Sequence, residues 1–463
     1  MPKINPNHFY QYLRCPSWIW LDVFGDAEKR RQLHPLSELL WRQGLLHDTH
    51  IIPNQEFVKV ENDDLDDAAT ETLRLMRQGR QTIYRGVLID DEWVARPDVL
   101  ERVEGKSLFG NYYYVACDIK RVRYLEDVHR FQGVFYALLL EKIQGTRPVQ
   151  GYVMNPDKEV LNFIIEDSLE KFHLTLGEIE KILRGEKPPP FISSACRESP
   201  WLNHCIKEAE SCDDLALIAH VSSDERSSFI EAGYASVREL VKVPVDLVVK
   251  KVTGVGKRRI EHLYRQAQVL VEGNPILIEP IDLSKAPVEL YIDIESDPLR
   301  DVEYLFGVLV CEGDKATYTP FFADSPEEEK SAWLSFVNFV GKYKGAPIYH
   351  YGHFEIFVIQ RLAEKYGHAL ENFETLSDIG RAVFHNAVFP VYFYSLKDIA
   401  RVLGFNWRHP EASGLNSIFW YHNWIETNNR KTREDIINYN EDDVRATKLL
   451  KDWLVKKSGE KKV

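Results

Sequence analysis

No stretch of the 463 residues holds the roughly 18 consecutive apolar side chains that a bilayer span needs, so no transmembrane helix is expected. The opening MPKINPNHFYQYLRCPSWIW lacks a cationic segment followed by an apolar one, so no signal peptide is expected and the chain reads as cytoplasmic. There is no fixed-period repeat and no low-complexity tract. A G-x-x-x-x-G-K-[ST] phosphate loop is missing, so any nucleotide-driven motor must come from elsewhere. Positive charge is in deficit: 58 Lys and Arg against 71 Asp and Glu leave a net charge of −13. That argues against a coat for nucleic acid held by bulk positive charge, but leaves room for an enzyme whose carboxylates hold cations and whose basic groups are local. Cysteine is sparse, at six residues, with Cys196, Cys205 and Cys212 close together. In a reducing compartment such spacing points to metal binding or packing before disulfides.

What is present suffices for real cores: 44% of the residues are hydrophobic and 12% aromatic. Roughly three domains are expected at this length. Residues 1–212 mix amphipathic helices with strands and close on the proline-rich GEKPPPFISSACRESPW. Residues 213–277 read as short helices. An α/β segment, 285–458, then opens with the strand VELYIDIE and continues with YLFGVLVCEG and long helices. The fold class expected is multi-domain α/β.

In YVACDIKRVR, strand alternation turns Asp118 and Lys120 to one face. Such a pair is either a solvated ion pair worth about 0–1 kcal/mol, or half of a metal site with an ammonium aimed at a reacting water. Upstream, RPDVLERV sets Asp98 before an apolar run, where alone it reads equally as a turn aspartate. Together Asp98, Asp118 and Lys120 offer two hard carboxylates for Mg²⁺ or Mn²⁺ and a cation for a nucleophile, which is what phosphodiester hydrolysis requires. The amphipathic helix YLEDVHRFQGVFYALLLEKIQG then puts Gln132 and Tyr136 one turn apart, and LLWRQGLLHDTHII supplies His47.

In this order the motifs Gly44-Leu-Leu-His47-Asp48, Pro97-Asp98, Asp118-Ile-Lys120 and Gln132 through Tyr136 resemble the RecB-like branch of the PD-(D/E)XK nucleases, which includes the CRISPR adaptation nucleases. The resemblance covers about the first 210 residues and implies a restriction-endonuclease-like core. It implies His47, Asp98 and Asp118 as metal ligands, Lys120 as the group that orients or activates water, and Gln132 and Tyr136 as supports of the site or contacts to DNA. Many members of that branch hold a [4Fe-4S] cluster on one early cysteine and a late C-x2-C-x5-C. Here Cys15 is followed by Cys196-x2-Ser199-x5-Cys205, so a serine stands where the middle thiolate is expected. Cys212 could replace it, His204 could help build a Zn²⁺ site instead, or the residues could only pack.

Between the α/β segments, VKKVTGVGKRRIEHLYRQAQ sets Gly254 and Gly256 before Lys257, Arg258 and Arg259 at a helix start. A Gly-x-Gly between helices is either a plain tight turn or a place where exposed N–H groups meet phosphate. With FIEAGYASVRELVKVP as its partner half, it resembles the helix-hairpin-helix, which implies a sequence-independent grip on DNA backbone. In the last segment, YIDIESDP places Asp293 and Glu295 on one strand face, and YNEDDVRATKLLKDWL places Tyr439 and Asp443 one helical turn apart. APIYHYGHFEIFVIQRLA lies between them and holds Glu355. Together these resemble the RNase H-like exonucleases with four acidic residues, D-x-E first and Y-x-x-x-D last. That resemblance implies two metals held by Asp293, Glu295, Asp443 and a middle acid, with Tyr439 positioning water. The usual aspartate in the middle is here Glu355. The expectation is a metal-dependent nuclease acting on single-stranded or frayed DNA ends in repair or recombination, with any unwinding left to a separate helicase. A DNA-structure-binding scaffold with degenerate sites and a nuclease acting on RNA are the alternatives.

Overall fold

The segments VLERVEGKS and GNYYYVACDI form a long antiparallel hairpin at the centre of the first sheet, the second buried along its last six residues. The computed structural model describes residues 2–32, 35, 57–120, 122, 124–155, 158–283, 286–370 and 373–461. The described residues form two compact units, one covering 2–32 and 57–208, the other 209–461. Helices and strands mix in both, so the chain is α/β. Among the described residues no helix is long and apolar enough to cross a membrane.

The first unit contains β1 (Phe57–Lys59), β2 (Thr82–Tyr84), β3 (Leu88–Asp90), β4 (Trp93–Ala95), β5 (Val99–Ser107), β6 (Gly110–Ile119), β7 (Gln150–Met154) and β8 (Val160–Ile164). Six of them form one sheet in the order β1-β2-β5-β6-β7-β8. β5 and β6 are antiparallel, with Val99 opposite Cys117, and β6 runs parallel to β7 with Asp118 opposite Val153. A parallel pair needs a crossover, and the helix Asp127–Gln144 provides it. Its buried Phe131, Val134, Phe135 and Tyr136 pack with Phe9 and Phe172 in an aromatic core. The last residue of that helix, the fully buried Gln144, accepts from the Tyr114 N–H at 2.8 Å and donates to the Tyr114 carbonyl at 2.9 Å. It thus satisfies β6 beyond the residues that β7 pairs.

The second unit carries β9 (Ile276–Leu277), β10 (Val288–Asp297), β11 (Val302–Glu312), β12 (Lys315–Phe322), β13 (Ile348–His350), β14 (Leu376–Asp378) and β15 (Ala387–Val388). The five-stranded sheet has the order β12-β11-β10-β13-β14, antiparallel over its first three strands and parallel over the last three. β11 is buried along nearly its whole length, which is why YLFGVLVC reads as an unbroken apolar run rather than an alternating one. β9 and β15 pair with each other in a separate two-stranded sheet. Short helices Ser223–Glu231, Val237–Val241 and Val245–Lys251, then Lys257–Glu272, fill the stretch read as helical. The helix Arg430–Lys461 buries Ile436, Tyr439, Val444, Leu450 and Leu454 and packs on β10 and β11.

Candidate functional site

β10 carries Asp293 and Glu295 on one face, and the register with β11 slips directly after Glu295. Such a bulge re-aims the chain where pairing ends. From the other side, the helix Arg430–Lys461 contributes Asp443. One oxygen from each of Asp293, Glu295 and Asp443 lies within 4.8 Å of the others. Two segments about 150 residues apart in sequence thus meet at one point.

The EDD run is resolved by its neighbours. Glu441 is tied to Arg408 and Arg445, and Asp442 accepts from the Arg408 backbone and side chain, each at 2.8 Å. Only Asp443 turns to β10. Its Oδ1 accepts from Trp407 Nε1 at 2.6 Å, and the Tyr439 hydroxyl lies near enough to act on its carboxylate. Asn440, fully buried, donates to Asp293 Oδ2 at 2.6 Å while accepting from the Tyr318 hydroxyl at 2.7 Å. Ser417 hydrogen-bonds the Tyr304 hydroxyl at 2.7 Å and acts on the Glu295 carboxylate. The donors named for Asp293, Glu295 and Asp443 are all uncharged, so these three carboxylates are oriented by neutral groups. Burial, then the neighbouring acids, raise the Asp293 carboxyl well above its usual range. Burial and Asp443 push Glu295 up to about 8, and burial lifts Asp443 to about 7, opposed by its Trp407 and Tyr439 bonds and by the charge of Lys397. A cluster of convergent oxygens with surplus negative charge fits a hard divalent cation.

Gly307 makes this possible. It sits directly across from Asp293, and a Cβ there would lie 1.7 Å from Asn440 Oδ1. Glu355, in the first turn of the helix Phe354–Tyr366, is 4% exposed and its charge acts on Asp293. It is not part of the tight three-residue group. Asn440, Trp407, Ser417, Tyr318, Lys397 and Gly307 were not legible from the sequence. None stands in a recognisable spacing, although Asn440 directly follows Tyr439.

Residues 290–455 match the RNase_H superfamily family model. The matched segment spans β10 to the helix that carries Asp443, and an RNase H-like domain is consistent with a nuclease. No curated protein matches the chain.

In the first unit, Asp98 immediately precedes β5 and Asp118 is the penultimate residue of β6. Asp98 Oδ2 accepts from the Ile119 N–H at 2.8 Å, and Lys120 Nζ stands 3.6 Å from Asp98 Oδ2 and 3.4 Å from Asp118 Oδ2. The buried Tyr136 hydroxyl lies 3.1 Å from both Asp118 oxygens. The hairpin and the crossover helix therefore bring Asp98, Asp118, Lys120 and Tyr136 together. Gln132 is half-buried one turn before Tyr136, and His47 lies outside the described residues.

The Cys15 thiol interacts with both the Cys196 and Cys205 thiols. That contact lowers Cys196 to about 6 and pulls Cys205 down as well, while Cys15 itself is raised. Ser199 is buried, but its hydroxyl accepts from the Trp201 N–H at 3.2 Å. Cys212 is exposed, with its thiol directed at the Ala209 carbonyl. Three thiols converge and the serine serves the local turn.

In the helical stretch, Gly254 takes φ +80°, a conformation side chains resist, and Gly256 begins the helix Lys257–Glu272 without a side-chain cap. Both glycines, Lys257 and Arg258 are exposed. Arg259 is committed elsewhere: it bonds Glu225 at 2.7 and 3.0 Å and the His220 carbonyl at 2.6 Å, tying the helix Lys257–Glu272 to the helix Ser223–Glu231.

Proposed function

We propose that this chain is a divalent-metal-dependent nuclease with two separate hydrolytic sites, acting on single-stranded or frayed DNA ends. The observation that carries the reading is the convergence of Asp293, Glu295 and Asp443 within an RNase H-like domain. These three would hold the metal, with Glu355 as the middle acid. A bound Mg²⁺ or Mn²⁺ supplies hydroxide near neutral pH and offsets charge on the phosphate. The chain's own contribution is orientation. Asn440 fixes Asp293, Ser417 fixes Glu295, and Trp407 with Tyr439 fixes Asp443. The Tyr439 hydroxyl, at the Asp443 carboxylate, is placed to direct a water.

In the first unit, Asp98 and Asp118, with His47 added, would hold a second metal site. Lys120 brings its ammonium beside both carboxylates, where it can orient a water and steady negative charge on phosphate. Tyr136 donates to Asp118 and fixes its rotamer. The exposed Gly254–Arg258 turn would contact phosphate through backbone N–H groups and through Lys257 and Arg258. The Cys15, Cys196 and Cys205 thiols would hold an Fe–S centre with three protein thiolates.

The test is cleavage of end-labelled single- and double-stranded DNA and RNA in Mg²⁺ and in Mn²⁺. Asp293→Ala with Asp443→Ala removes one component and spares the other, while Asp118→Ala or Lys120→Ala removes the complementary one. Wild-type cleavage in every variant would overturn the assignment of both sites, and preferred cleavage of RNA would overturn the choice of substrate.

A further inference from the structure

His350 ends β13 beside β10 and is fully buried, yet neither of its ring nitrogens has a hydrogen-bond partner. Burying an imidazole with both nitrogens unmet is costly, since each lost partner forfeits the hydration it had in water. Glu355 faces it: Nδ1 of His350 stands 3.6 Å from Glu355 Oε2, and that oxygen is also buried and without a hydrogen-bond partner. Asp378, in register with His350 on β14, is already held by the Gly352 N–H at 2.9 Å and the Arg381 N–H at 3.0 Å. Two unmet polar groups thus face each other just short of hydrogen-bond distance.

Glu355, the middle acid of the proposed metal reading, is one methylene longer than an aspartate and lies outside the tight three-residue group. Its extra methylene adds a rotatable bond, so its carboxylate needs a second restraint to reach the Asp293–Glu295–Asp443 group in one orientation. We infer that His350 is a positioning residue for Glu355: its Nδ1 takes the buried oxygen, Oε2, and leaves the other oxygen to serve the metal. The inference rests on the metal reading of that acidic group. It assigns the histidine no contact with substrate.

Mn²⁺ binding to the full chain without substrate, by calorimetry, tests it. His350→Ala should weaken the Glu355-dependent binding by about 10- to 100-fold, the size typical of lost support behind a metal ligand. Glu355→Gln should weaken it at least as much, and the double variant no more than Glu355→Gln alone. His350→Asn puts an amide N–H near the position of Nδ1 and should restore most of the affinity, whereas His350→Gln, whose amide reaches toward Nε2, should not. Unchanged Mn²⁺ affinity in His350→Ala, or effects of the two single variants that multiply, would overturn the inference. Failure of both amides to rescue would overturn it in favour of direct ligation by the imidazole. If wild-type protein bound no Mn²⁺ at all, the metal reading itself would fall, a result distinct from any variant's.

Discussion

Replacing Gly307 by alanine tests how the RNase H-like site is assembled. The new Cβ would sit 1.7 Å from Asn440 Oδ1 and 2.8 Å from the Tyr318 hydroxyl, where real Cβ contacts do not fall below 3.0 Å. Asn440 must therefore withdraw by at least 3.0 − 1.7 = 1.3 Å. β11 is central and paired on both sides, so it cannot yield instead. The withdrawal breaks the 2.6 Å bond to Asp293 and the 2.7 Å bond from Tyr318. At about 1.5–3 kcal/mol for the charged bond and about 1 for the neutral one, the variant should lose roughly 2.5–4 kcal/mol of stability. A carboxylate released by about 1 Å should also cost on the order of 100-fold in cleavage. Thermal unfolding and metal-dependent cleavage are measured in an Asp118→Ala background, which isolates the second unit. Gly414→Ala is the control, because a Cβ there meets nothing within 4 Å. Once Asn440 is already alanine, adding Gly307→Ala should cost little further. Wild-type melting and cleavage in Gly307→Ala would refute the claim that Asn440 positions Asp293.

Protein purified without oxygen should be brown, with broad absorbance near 400 nm and bound iron, and Ser199→Cys should raise the iron content; colourless, iron-free protein from both would end the cluster reading. Lys257→Ala with Arg258→Ala should weaken binding to all DNA sequences alike and flatten its salt dependence by about two phosphate contacts, whereas Arg259→Ala should chiefly lower the melting temperature; the reverse pattern would count against the turn as a phosphate contact. His8, held down to about 4 by burial against the pull of Asp22, accepts the Asn5 N–H on Nδ1 at 3.3 Å as the helix cap. Its folded value lies below the unfolded one, so its contribution is full above about pH 6.5 and lost as pH falls toward 4, by about 1–3 kcal/mol after allowing for its partial exposure. His8→Gln should flatten that acid loss in melting experiments, and an equal loss in both proteins would refute it.

The pairs legible in the sequence are those set by local geometry. Strand alternation puts Asp293 with Glu295 and Asp118 with Lys120, and one helical turn puts Tyr439 with Asp443; these relations hold wherever the elements lie. Composition and the long apolar run of β11 likewise indicated α/β layers, and the RNase_H superfamily match falls on the segment that carries the D-x-E and Y-x-x-x-D pairs. What local spacing cannot encode is which side chain meets which across the fold. That Asn440 reaches Asp293 depends on a missing Cβ at Gly307, on a neighbouring strand. That Asp443, and not Asp442, faces the Asp293–Glu295 pair depends on Arg408 arriving from a distant loop. Arg259 reads as one of three equivalent basic residues until Glu225 is seen to claim it. His350 and Glu355 lie close in sequence, but their significance comes from burial, since an unpaired imidazole is unremarkable in water and costly in a core. Sequence periodicity specifies faces, while packing decides what each face meets and which polar groups lose their water.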